Sequence, residues 1–203
     1  MDFEEIVKKI FLEKAKMPIE ARHCPDQYVG VISQFQSQVD FPKRSPVENR
    51  PSGIKCVIMI LESPHINEFV GSLGPASGKT GELIRAKFLQ VKGLNEYIDC
   101  GLILMNAVQN QCSLGSPTNC YRDDVFCAAW EDGAKENFIS RFNATFKKGD
   151  VIVNCCTKGN MKGRELRRLV QQSIPTDNDK VLRRTHPSSW YSEKNRNSQW
   201  KAT

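Results

Sequence analysis

No apolar run in this 203-residue chain approaches the ~20 residues that a membrane-crossing helix needs. The N-terminus does not read as a secretory signal either, because Asp2, Glu4 and Glu5 come early and no apolar stretch follows them. Both absences argue for a cytoplasmic protein with no membrane partner. Paired metal ligands are missing as well. The eight cysteines, at 24, 56, 100, 112, 120, 127, 155 and 156, include no Cys-x-x-Cys pair, which speaks against a zinc ribbon or a short-spaced iron–sulfur site. With nothing marking secretion, reduced thiols are expected, and Cys56, Cys155 and Cys156 sit in apolar runs as small core residues. Histidine is scarce: His23, His65 and His186 stand at no ligand spacing, so no metal is expected. Gly78-Lys79-Thr80 suggests a P-loop, but the required earlier glycine is Leu73, and the motif fails. There is no internal repeat and no low-complexity block.

What remains is ordinary globular composition, 39% hydrophobic and 26% charged. The length fits one domain over residues 1–203, with an N-terminal helix and long loop at 1–53 and a core at 54–192. The net charge of +6 is unevenly spread. From Lys158 onward there are 11 basic and 4 acidic residues, against 18 and 19 before it. Either one face is built for an anion, nucleic acid first among them, or a basic helix and tail are simply solvated.

Asp2 can cap an opening helix whose stripe is Phe3, Ile6, Val7, Ile10 and Phe11. Residues 36–53 hold Pro42, Pro46, Pro51 and Gly53 and read as a long surface loop. Buried strands are expected at 55–61, 101–105, 150–155 and 180–183, the first three nearly continuous in apolar residues. Helices are expected from a Thr80 cap to about Val91, at 133–146 and at 161–173. Alternation of this kind predicts an α/β fold, a three-layer α/β/α sandwich around a mainly parallel four-stranded sheet. A polar cluster follows every strand: Glu62-Ser63-Pro64-His65, Asn106 to Cys112, Thr157-Lys158-Gly159-Asn160, and His186-Pro187-Ser188. The carboxyl ends of parallel strands are where such sheets bind ligands.

The residue types suit cleavage of a bond to a poor leaving group. Asn106 has a donor and an acceptor for the edge of a heterocycle. His186 can donate to an anion forming on that heterocycle, and Glu62 can orient water or face a developing sugar cation. Such preorganised groups contribute about 3 kcal/mol each. The segment 74–81 leads into a helix N-terminus, either to hold an anion or as a flexible loop with a capped helix. His65 reads as a pocket residue or as an exposed loop residue.

These motifs resemble the uracil-DNA glycosylase superfamily, most closely its iron–sulfur branch. Leu61-Glu62-Ser63-Pro64-His65 stands where that branch has Gly-Glu-Ala-Pro-Gly, and Gly74 to Leu83 where it has a glycine-rich segment entering a helix. Asn106-Ala107-Val108-Gln109-Asn110-Gln111-Cys112 is similar to its Asn-Val-Val-Lys-Cys, and His186-Pro187-Ser188 to its His-Pro-Ser. The match runs in family order over roughly residues 54–192. It implies a monofunctional DNA glycosylase that flips a pyrimidine-type base and leaves an abasic site. His186, Glu62 and Asn106 would be catalytic, and Ser63, Pro64, His65 and Asn106 would form the base pocket. Lys79, Lys158, Ser188, Ser189, Lys194 and Arg196 would meet DNA, and Trp190 would fill the gap left by the flipped nucleotide.

Two departures bear on the substrate. Ser63 replaces the water-positioning aspartate of the uracil enzymes, and His65 replaces the tyrosine that excludes 5-substituted pyrimidines. Uracil or another deaminated base is one expected substrate, and a 5-modified, phage-type cytosine the other. The branch's early Cys-x-x-Cys is reduced to Cys24, so no cluster and no cofactor is expected. The expected partner is DNA and the expected state a monomer. The alternatives are a non-catalytic nucleic-acid binder and a nucleoside-processing enzyme.

Overall fold

The run Cys-Val-Ile-Met-Ile-Leu has no polar side to turn toward water, and it becomes a strand buried on both faces, β3 (Cys56–Leu61). The computed structural model describes residues 2–11, 22–35, 38–70, 73–114, 121–159, 163–175 and 181–201. Its other strands are β1 (Gln27–Val31), β2 (Ser45–Pro46), β4 (Gly101–Asn106), β5 (Val151–Asn154) and β6 (Val181–Arg183). They form one six-stranded sheet in the order β2-β1-β4-β3-β5-β6. β4, β3, β5 and β6 run parallel, whereas β1 joins β4 antiparallel and β2 joins β1 antiparallel. The fold is α/β with a mixed six-stranded sheet, not the expected four strands.

Side chains of β3 alternate between two apolar cores. Cys56, Ile58 and Ile60 pack with Phe3 and Val7 of α1 (Phe3–Phe11), Phe126 of α3 (Arg122–Ala129), Phe138 and Phe142 of α4 (Lys135–Thr145), and Val170 of α5 (Leu166–Ser173). Val57, Met59 and Leu61 pack on the other side with Ile84 of α2 (Lys79–Lys87), Phe88, Val91 and Trp190. The fully buried apolar side chains contribute roughly 1.5–3 kcal/mol each to holding these layers. A short helix, α6 (Glu193–Asn197), ends the described chain.

Several boundaries differ from expectation for physical reasons. Gly78, not Thr80, precedes the first turn of α2, and the helix tightens into a 3-10 turn at Phe88–Gln90. The expected 133–146 helix begins at Lys135 and is joined to an unexpected α3, with a kink at Asp132 and Gly133. Gly133 adopts φ +102°, a conformation that costs a glycine little. Phe126, Trp130, Phe138, Phe142 and Phe146 then form a continuous aromatic ladder across the kink, with centroids 5.4–6.1 Å apart. The expected 161–173 helix is observed as α5, and residues 160–162 lie outside the described set. Residues 38–53 are not a plain surface loop, since they supply β2 and bury Phe41 and Arg50. The Asp2 cap is present: its carboxylate accepts the Glu5 N–H at 3.1 Å.

Candidate active site

Parallel strands β3, β4, β5 and β6 all end on one edge of the sheet, and the chain leaves each of them through a polar loop. A cavity of about 340 Å³ opens there. It is lined by Glu62, Ser63, Pro64 and His65 after β3, by Thr157 after β5, and by His186 and Ser188 after β6. Gly78, Lys79 and Thr80 at the start of α2 complete the wall together with Glu68, Asn67, Ser113 and Arg122. The volume is at the lower end of the range typical of small-molecule sites.

His186 is held in one protonation pattern. The Ser188 backbone N–H donates to its Nδ1 at 3.3 Å, and the Ser188 hydroxyl lies 2.8 Å from the same nitrogen. A nitrogen that accepts an N–H carries no proton, so the neutral ring has its proton on Nε2. Burial, and after it the positive Arg122, push the imidazole down to about 4. At neutral pH the ring is therefore uncharged, with Nε2–H as its donor. His65 uses the same device, its Nδ1 accepting the Asn67 N–H at 3.3 Å as it caps a 3-10 turn.

Glu62 is 4% exposed, and burial raises its carboxyl to about 7. Arg122, with Nε 3.4 Å away, and the Ser63 hydroxyl, which donates at 3.1 Å, pull in the opposite direction. Near neutrality this group can both take up and give back a proton. Ser63 thus serves Glu62 by a hydrogen bond and does not act as a base.

Asn106 is not among the residues lining the cavity. It is 1% exposed, and its Nδ2 donates to Glu68 Oε2 at 3.5 Å. Asn106 thus stands behind Glu68, which does reach the cavity. Trp190, expected as the gap filler, is placed away from the surface. It is fully buried in the α2-side core, and its indole N–H donates to the Thr185 carbonyl at 3.0 Å, so it cannot enter a DNA stack from this position. The exposed aromatic beside it is Tyr191, at 72%. Arg196 spends guanidinium hydrogens on the Trp190 and Tyr191 carbonyls at 2.6 and 3.2 Å, so it braces this loop. The Ser189 hydroxyl likewise donates to the His186 carbonyl at 2.7 Å and stays off the cavity lining. Lys79, Lys158 and Lys194 are exposed; Lys79 pairs with Glu82 at 2.6 Å, and Lys158 lies 3.8 Å from Glu165. Asn160 lies outside the described residues.

Glu68 and Arg122 carry no motif and were missed from sequence. The signal available for Glu68 was a second acid six positions after Glu62, directly before the apolar pair Phe69 and Val70. Burial raises its carboxyl to about 7, against hydrogen bonds from backbone groups of His65 and Ala76 and from Asn106. Among the described residues no cysteine lines the cavity, and Cys24, Cys112, Cys155 and Cys156 are buried free thiols pushed upward by desolvation. Cys120 lies outside the described residues. Among the described residues no group of three or more His, Cys, Asp or Glu could hold a metal ion. No helix among them is long and apolar enough to cross a membrane. Compared with family models, curated proteins and solved structures, the chain matches none.

Proposed function

We propose that this protein is a monofunctional DNA glycosylase acting in the cytoplasm. It would hydrolyse the N-glycosidic bond of a flipped pyrimidine-type base, either a deaminated base or a 5-modified cytosine. The observation that carries this reading is the pairing of Glu62 with a neutral His186 across one cavity at the carboxyl ends of the parallel strands.

The chemistry follows from these two groups. As the glycosidic bond breaks, its electrons move onto the base. The Nε2–H of His186 donates a hydrogen bond to the oxygen on which that charge collects. A neutral donor is suited to this role, since it stabilises the anion without having to be discharged afterwards. The sugar carbon becomes electron-poor, and the Glu62 carboxylate faces it. Water adds to that carbon and gives a proton to Glu62, which passes it on to the departing base. The products are the free base and an abasic site. Lys79, Lys158 and Lys194 supply phosphate contacts, and Tyr191 takes the gap-filling place that buried Trp190 cannot.

Duplexes carrying uracil, hypoxanthine or 5-hydroxymethylcytosine test the proposal. Incubation with the protein should yield alkali-labile sites and a free base identifiable by mass. His186→Ala should abolish release while DNA affinity stays within a few fold. Retained release in that variant, or no abasic site from any duplex, overturns the reading.

A further inference from the structure

Glu68 is a buried acid on the wall of the cavity that the proposed hydrolysis does not use. It is 6% exposed, yet it reaches the cavity. Its neighbour Asn106 donates Nδ2 to it at 3.5 Å, which leaves Asn106 Oδ1 buried and without a partner. A buried amide oxygen with no donor is costly. This corner therefore presents acceptors, a carboxylate and behind it an amide oxygen. Of the two hydrogens on Asn106 Nδ2, one points at Glu68, and the Cys24 thiol is a further hydrogen-bond partner of the same side chain.

We infer that Glu68 is a specificity-determining residue that selects pyrimidines bearing a 4-amino group over their 4-oxo counterparts, with Asn106 as the residue that positions it. The inference rests on the glycosylase reading and narrows it to cytosine-type bases. A 4-amino group carries two N–H donors and satisfies the carboxylate. A 4-oxo group would instead set its carbonyl oxygen against a carboxylate, two acceptors with no hydrogen between them, in a buried place. Sites built to hydrogen-bond one group reject the analogue lacking it far more strongly than apolar pockets reject a missing methylene. His65, half-buried at the same wall, leaves the 5-position question separate, so the test must hold the 5-substituent constant.

The matched pair is DNA containing 5-hydroxymethylcytosine or 5-hydroxymethyluracil, which share the 5-substituent and differ in the 4-substituent and, with it, in the proton on N3. Assays run at pH 8.5, above the value of about 7 to which burial lifts Glu68. The wild-type protein should release the amino base at least about tenfold faster. Glu68→Gln, which replaces one carboxylate oxygen by an NH2 donor in the same shape and removes the charge, should shift that ratio at least about tenfold toward the oxo base. The wild-type ratio needs no variant and stands even where Glu68→Gln fails to fold. Equal wild-type rates, faster release of the oxo base, or a folded Glu68→Gln protein with an unchanged ratio overturns the inference while leaving the glycosylase reading intact. No release of any base from any duplex overturns both.

Discussion

At the scale of single residues, the site depends on two groups shifted in opposite senses by the same cause. Burial favours the neutral form of each, lowering His186 to about 4 and raising Glu62 to about 7. His186 stays neutral above pH 5, so it imposes no step on activity between pH 5.5 and 8.5. In the proposed hydrolysis Glu62 must be ionised to face the sugar and take the water proton. Single-turnover release should therefore rise about tenfold per pH unit below 7 and level off above it. A flat profile across pH 6–8 would remove Glu62 from that role. The same shift has a cost in stability. The folded carboxyl holds its proton more tightly than the unfolded one, so the contribution of Glu62 becomes less favourable as pH rises from about 4.5 through about 7. Glu62→Gln avoids burying that charge. Urea denaturation should show it more stable than wild type by about 1–3 kcal/mol at pH 8.5, with the gap shrinking toward pH 5. Loss of stability at pH 8.5 would show that pairing with Arg122 outweighs the burial penalty.

At the scale of elements, the apolar runs in β3, β4 and β5 were legible because strands covered on both faces have no polar alternation to hide. β1 and β2 were not. Their pairing is antiparallel at the edge of the sheet, and Gln27 to Val31 carries Gly30 as its fourth residue, while Ser45–Pro46 is two residues long and lies in a proline-rich stretch. α3 was missed because Arg-Asp-Asp-Val-Phe-Cys-Ala-Ala shows no helical stripe: its apolar residues are consecutive, and Val125, Phe126 and Cys127 are all buried. Four polar clusters read from sequence do lie at the strand ends, but distance in space decided the rest. Trp190 lies within a motif, whereas its burial under α2 comes from packing that no local pattern announces. Asp150 shows what joins the elements. It pairs with Arg50 through two contacts at 2.7 and 2.8 Å and accepts the Cys56 and Lys147 N–H groups at 2.9 Å each. It thus ties the segment after β2 to the starts of β3 and β5. Both side chains are at most 4% exposed, so Asp150→Ala strands a buried guanidinium and should cost about 3–5 kcal/mol in denaturation. A cost below about 1 kcal/mol would mean that water reaches Arg50. Gly81→Ala acts nearer the site. An added Cβ would run into the Ala76 carbonyl, forcing apart α2 and the loop that brings Gly78 and Lys79 to the cavity. It should lower stability by about 1–3 kcal/mol and impair base release more than global unfolding accounts for.

At the scale of the whole molecule, the concentrated positive charge needs a finer reading than its sum allows. Much of the arginine in the C-terminal quarter is spent on the protein itself. Arg167 and Arg168 lie 2.8 and 3.1 Å from Glu165, Arg184 donates to the Lys92 carbonyl at 2.8 Å, and Arg196 braces the loop of Trp190. Their charges still add to the field, but part of each guanidinium is already engaged within the protein. The lysines are more open to water: Lys194 is exposed, and Lys79 at the cavity and Lys158, exposed too, each lie by one acidic neighbour, Glu82 and Glu165. If DNA is the partner, lysines rather than arginines make the phosphate contacts, and those contacts are few. Binding should then weaken with salt at a slope of roughly −3 in log–log form, about −0.9 for each phosphate neutralised. Lys194→Ala and Lys79→Ala should each reduce that slope by about 1 and weaken all sequences alike, because phosphates carry no base identity. Arg167→Ala should leave the slope nearly unchanged. Fluorescence anisotropy on one duplex from 50 to 300 mM salt separates these cases. A slope lost with Arg167 and indifferent to Lys79 and Lys194 would move the DNA path off the strand-end edge and onto the α5 side of the sheet, away from His186 and Glu62.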